Sequence, residues 1–127
     1  MKIKNAELTE VIRALNALSM QKLDIQLAWD LGTSLKSLME KHEQMEQLRL
    51  QLCREHCDKD EDGNTLMIDG RYSGLDDNKE FIEEVTELLQ IENEFNVPPI
   101  SFQTLVKNNI KLTTQEVEAL KNFIVRD

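Results

Sequence analysis

Apolar residues fall on helical stripes through most of the chain. In residues 5–20, Leu8, Val11, Ile12, Leu15 and Leu18 recur at steps of three and four, which places them on one side of an α-helix. Asn5 offers an N-cap before that helix, and the polar–apolar alternation of residues 1–4 fits a short strand. A longer stripe follows in residues 24–55. There Ala28, Leu31, Leu35, Leu38, His42, Met45, Arg49 and Leu52 form a heptad seam with polar interruptions at His42 and Arg49. A helix of that length needs a partner to bury its seam. Residues 76–95 supply one, because Phe81, Val85, Leu88, Leu89 and Phe95 share a face after a capping start at Asp76, Asp77 and Asn78.

The connection between these two helices carries Gly63, Gly70 and Gly74, a hairpin signal at Asp62–Gly63 and β-prone residues from Thr65 to Ile68. Residues 58–75 therefore read as an exposed acidic hairpin or loop. Further on, Pro98 and Pro99 force extended backbone, and a short helix is expected within 101–107. The last helix, 113–125, opens on a capping box of Thr113 and Glu116, with Leu112 and Val117 placed as a hydrophobic staple. Val117, Leu120, Phe123 and Ile124 are expected to face inward. No internal repeat or low-complexity segment interrupts this pattern. The predicted fold is mainly α and a single domain spanning 1–127. Its centre is a long antiparallel helical hairpin with a small β-hairpin or loop at its tip, packed with a short N-terminal helix and a C-terminal helix.

Composition sharpens this reading through charge. The 127 residues carry a formal net charge of −9, and the segment from Glu55 to Glu94 holds 14 carboxylates against Lys59, Arg71 and Lys79. Such a surface repels nucleic acid and anionic membrane and suits a basic protein surface. The candidate partner-binding residues are the tip carboxylates Asp58, Asp60, Glu61, Asp62, Asp69, Asp76 and Asp77. There is no apolar run of membrane-spanning length and no secretory leader pattern at the start, so a soluble, unexported chain is expected.

Two clusters raise the question of metal. Asp58, Asp60, Asp62, Gly63 and Asp69 approximate a calcium-loop spacing. However, Thr65 stands where that loop has a hydrophobic residue, Asp69 stands where it has a bidentate Glu, and there is no second loop. The favoured reading is an acidic turn. Cys53, His56 and Cys57 sit at i, i+3 and i+4 and would offer zinc a single cluster, whereas structural zinc sites draw on two separated pairs. The favoured reading is a frayed helix end with one half-buried cysteine beside an exposed His56, the thiols reduced because two cysteines on successive turns are badly placed for a disulfide. His42 is read as a seam residue that finds a hydrogen bond. Trp29, near Gly32, is read as packing another helix, with a partner-binding anchor as the alternative. The chain has no G-x-S-x-G, P-loop, dinucleotide fingerprint or H-E-x-x-H. No catalytic residue, enzyme activity or cofactor is expected.

The opening MKIKN, the ALNAL helix, the run LDIQLAWDLGTSLKSL, the turn KDEDGN and the ending LTTQEVEALKNFIV together resemble a family of small proteins of unknown function. That family is encoded by phages and prophages of Gram-positive bacteria. The resemblance spans nearly the whole chain, rests on caps, turns and stripes, and does not include Cys53, His56 or Cys57. It implies a virus-encoded protein in the bacterial host cytoplasm or the virion. With the acidic tip, it leads to the expectation of an interaction protein that binds a host or phage protein, as an inhibitor of a defence or nucleic-acid enzyme. A virion or assembly accessory, self-associating through the seam, is the alternative, and a divalent-cation switch a distant third.

Overall fold

The computed structural model describes residues 1–126 and is mainly α, with five helices and six short strands among those residues. Its contacts separate two compact units, Met1–His42 with the chain from Glu92 onward, and Glu43–Ile91. The long helix α2 (Ile25–His56) gives its first part to one unit and its last part to the other. No described helix is long and apolar enough to cross a membrane.

In the first unit, strand β1 (Lys2–Lys4) runs directly into helix α1 (Asn5–Ser19). The expected stripe is present: Leu8, Val11, Leu15 and Leu18 are buried, joined by Ala14, with Ile12 half-buried beside them. From α2, Leu31, Leu35 and Leu38 enter the same core, and Leu27 takes the place expected of the exposed Ala28. Leu8, Leu15, Leu18, Leu38 and Leu120 are fully buried, each stabilising the unit by about 1.5–3 kcal/mol relative to an exposed side chain. Asn5 is the first helical residue and not the cap. Its buried side chain accepts from Asn93 Nδ2 at 2.7 Å, while Glu7 accepts from the Lys4 N–H at 3.3 Å.

The helix expected over 76–95 is shorter, α3 (Lys79–Gln90). At its start, Asn78 takes the capping role by accepting from the Phe81 N–H at 2.9 Å, so Asp76 and Asp77 lie in the turn before it. At its end, Glu92–Glu94 forms strand β4, which pairs antiparallel with β1 so that Ile3 faces Asn93. Phe95, expected on the helical stripe, lies in the core of the first unit instead. The final helix is likewise shorter than 113–125. Strand β5 (Ile100–Ser101) leads into α4 (Phe102–Lys107), then α5 (Thr114–Leu120) and β6 (Ile124–Val125). Residues 124–125 leave the helix to pair parallel with β5, Ile100 opposite Ile124. The capping box is formed, with Glu116 N–H donating to Thr113 Oγ1 at 3.1 Å and Thr113 N–H to Glu116 Oε1 at 2.8 Å. Gln21 and Lys111 exchange two hydrogen bonds, 2.6 and 2.9 Å, which tie the α1 end to this C-terminal segment.

The second unit combines the last part of α2 with α3. Its buried apolar residues are Met45, Cys53, Cys57 and Leu88, flanked by half-buried Phe81, Val85 and Leu89. Asn78 Nδ2 donates to the His56 carbonyl at 3.1 Å and fastens the start of α3 to the end of α2. The polar seam position Arg49 is satisfied by Glu46, through Nη2 at 2.9 Å and Nε at 3.1 Å. The hydrogen bond to Glu46 raises the Arg49 pKa above its ordinary value, against the opposing effect of burial.

Candidate protein-binding surface

Charge divides as sharply as contacts do. Residues 43–91 hold 14 carboxylates and five Lys or Arg, a balance of −9 that equals the net charge of the whole chain, and the remaining residues balance to zero. The acidic character therefore belongs to one folded unit.

Within that unit the segment after α2 is tightly organised by its own backbone. The Asp58 N–H donates to the Ser73 carbonyl at 2.9 Å, the Leu66 N–H to the Asp58 carbonyl at 2.9 Å, and the Ser73 N–H to the Leu66 carbonyl at 3.0 Å. Two turns project from this base. In the first, Asp60 Oδ1 accepts from the Asp62 and Asn64 N–H groups, both at 2.9 Å, and Gly63 takes the left-handed φ of +79° that the turn requires. The second is a true hairpin, strands β2 (Met67–Ile68) and β3 (Arg71–Tyr72). Asp69 and Gly70 join them at φ of 53° and 77°, the conformation that makes Asp-Gly a favoured two-residue hairpin loop. The expected hairpin signal at Asp62–Gly63 thus marks a turn across the Lys59–Thr65 bridge, and Asp69–Gly70 marks the strand pair.

All seven predicted tip carboxylates, Asp58, Asp60, Glu61, Asp62, Asp69, Asp76 and Asp77, are exposed. The described ion pairs join Met1 to Glu94, Arg13 to Glu10 and Arg49 to Glu46, and His56 hydrogen-bonds with Glu84; none of these takes in a tip carboxylate. Asp58 accepts from Ser73 Oγ at 3.0 Å and Asp60 serves its own turn. Charge on this surface is left to solvent or to a partner.

The structure does not assemble the calcium-like set. Asp60 is committed to backbone donors, Asp58 to Ser73, and Asp69 sits in the separate hairpin turn, so these carboxylates form no common ligand cluster among the described residues. The Cys53, His56 and Cys57 set is also split. Both thiols are free and buried, and His56 is half-buried where an exposed ring beside one half-buried thiol was expected, because Phe81 and Glu84 of α3 lie against it. Cys53 Sγ lies 3.9 Å from Arg49 Nη1, and Cys57 Sγ accepts from Lys59 Nζ at 3.4 Å. His56 instead turns to α3, its Nε2 at 2.8 Å from Glu84 Oε2 and its ring tilted against Phe81.

His42 forms the hydrogen bond expected of it, 3.3 Å between Nε2 and Thr9 Oγ1. Trp29 departs from expectation. The residue is 74% exposed, one turn from Ile25 at 87%, and a Cβ at nearby Gly32 would meet nothing within 4 Å. The chain matches no protein-family model, no curated protein and no solved structure.

Two features of the surface were not anticipated from sequence. Glu84 faces His56 across the helix pair, a juxtaposition between residues 28 apart that no local motif signals. The C-terminal segment encloses an open cavity of about 620 Å³, walled by Phe102, Val106, Leu112 and Val117 and by Lys121 and Arg126. Val117, expected to face inward, is 46% exposed because it lines this opening. Arg126 lies over the Phe102 ring, 5.8 Å from its centroid, a cation–π contact.

Proposed function

We propose that this chain is an interaction protein whose acidic unit binds a partner protein through a basic surface. The observation that carries the reading is the confinement of the full −9 balance to residues 43–91, with seven exposed carboxylates outside any described ion pair. A field of that sign accelerates encounter with a basic protein and repels nucleic acid and anionic membrane. The turns around Asp60 and Asp69 hold the carboxylates on an ordered backbone, which lowers the entropy lost on binding.

The phage resemblance supplies the setting, a host or phage protein met in the bacterial cytoplasm. A partner whose basic surface is a nucleic-acid channel would be inhibited by occupation, the carboxylates standing in for phosphates. Neither catalysis nor a cofactor enters the proposal. A virion or assembly accessory ranks second, because the seam that favoured self-association is occupied within the chain: Leu31, Leu35, Leu38 and Met45 are all buried.

Affinity capture of the full chain from nuclease-treated bacterial lysate tests this reading. The comparison is a variant carrying Asn at Asp58, Asp60, Asp62, Asp69, Asp76 and Asp77 and Gln at Glu61. Amides keep the acceptor oxygens that Asp58 and Asp60 use, so the turns survive. A basic protein held by the original chain at low salt, released at high salt and ignored by the variant is the expected result. Equal capture by the variant would remove the acidic surface from the explanation.

A further inference from the structure

We propose that His56, Glu80 and Glu84 form a binding site for a first-row transition-metal dication, with zinc the best match. The three ligand atoms lie within 4.8 Å of one another, and His56 Nε2 is 2.8 Å from Glu84 Oε2. Around zinc, bonds of about 2.0–2.1 Å put neighbouring ligand atoms roughly 3–3.4 Å apart. Small rotations of two glutamate side chains on one helix face bring this set to that spacing.

The site is built by the fold and not by sequence proximity. Glu80 and Glu84 stand at i and i+4 on α3, where two like charges repel. Glu83 and Glu87 repeat the arrangement, and Lys79 is the one basic residue of the helix. The imidazole opposite is steadied by the Phe81 ring, centroids 6.1 Å apart, and by the Asn78 bond to the His56 carbonyl. His56 is 13% exposed at its side chain and Glu84 39%, so the imidazole is largely shielded while the half-exposed Glu84 and the exposed Glu80 leave an approach from solvent. One nitrogen and two carboxylate oxygens, with positions left for water, suit zinc and its neighbours. Magnesium and calcium prefer all-oxygen sets. The donors flank the acidic tip in sequence, so a bound ion would fasten together the helix ends from which residues 58–77 project.

Titration of the metal-free chain with zinc chloride by calorimetry, and with cobalt by absorption, tests the site. The expected result is one equivalent bound, weakened more than about tenfold by Glu80→Gln, Glu84→Gln or His56→Gln, since even outer-shell partners are worth that much. The Cys53→Ser/Cys57→Ser pair and the tip variant should bind as the original chain does. Cobalt should give visible ligand-field bands without near-ultraviolet thiolate charge transfer. Glu80 is exposed and in no described ion pair, so Glu80→Gln keeps the fold and reports on ligation directly. Absence of zinc binding, unchanged binding by Glu80→Gln, or a thiolate band would each overturn the proposal.

Discussion

Replacing Gly74 by alanine probes the base of the acidic tip. Gly74 has φ of +80°, and a Cβ built there falls 2.5 Å from Asp58 Oδ1 and 2.6 Å from the other two carboxyl atoms. Gly63 has nearly the same φ, +79°, but its Cβ would meet nothing within 4 Å. The left-handed conformation costs an L-residue about 1–2 kcal/mol at either position. At Gly74 the Asp58 carboxylate must also swing away and give up the 3.0 Å hydrogen bond from Ser73 Oγ, a further 0.5–1.5 kcal/mol or about that. Hydrogen exchange at the Asp58, Leu66 and Ser73 amides, whose bonds close the base, reads the loss locally. With about 1.4 kcal/mol per tenfold, Gly63→Ala should cost roughly 5- to 30-fold in protection of its own turn. Gly74→Ala should cost about two- to tenfold more at the base. In an Asp58→Ala background that excess should vanish, since the carboxylate is its cause. An excess that persists without Asp58, or no excess at all, would refute the placement of Asp58 over Gly74.

Three further outcomes follow from burial and capping. Leu38→Ala empties a position with no exposure in the core of the first unit and should cost about 2–5 kcal/mol in urea unfolding. Thr113→Ala removes the cap of α5 and should cost about 1 kcal/mol, whereas Thr114→Ala, one residue on and exposed, should change stability by less than about 0.5 kcal/mol. Trp29→Ala should leave thermal stability within about 0.5 kcal/mol, and the Trp29 fluorescence of the original chain should be that of a water-exposed indole. A strong destabilisation, or blue-shifted emission, would place the indole in a packed site.

The helices were legible in sequence where a stripe is long. Leu8 to Leu18 and Leu31 to Leu38 bury as their spacing predicts, because steps of three and four leave a helix one apolar face. Helix ends were not legible where strand pairing decides them. Glu92–Glu94 is three polar residues with no β signature, yet it pairs with Lys2–Lys4 some ninety positions away. Ile124 and Val125 continue a helical pattern but are drawn off by Ile100 and Ser101. The burial of His56, expected to be exposed, was not legible either. At about 100° per residue it stands a quarter-turn from Cys57, and α3 supplies Glu84 on that side, so helix i+3 geometry united it with the thiols only on paper. The acidic tip was the most legible part of the candidate surface, because Asp, Asn and Gly specify turns through their own backbone chemistry. The exposure of Trp29 and the cavity beside Val117 depend on what the rest of the chain leaves uncovered, which no window of sequence contains.

The acidic unit's role is tested most directly by measuring the affinity of the captured partner for the purified chain across a range of salt concentrations, beside the seven-amide variant. If residues 58–77 are the binding surface, affinity for the original chain falls steeply as salt rises, while the variant binds weakly with a shallow salt dependence. Equal affinities with equal salt dependence would contradict the assignment and move the binding surface to the neutral unit that bears Trp29.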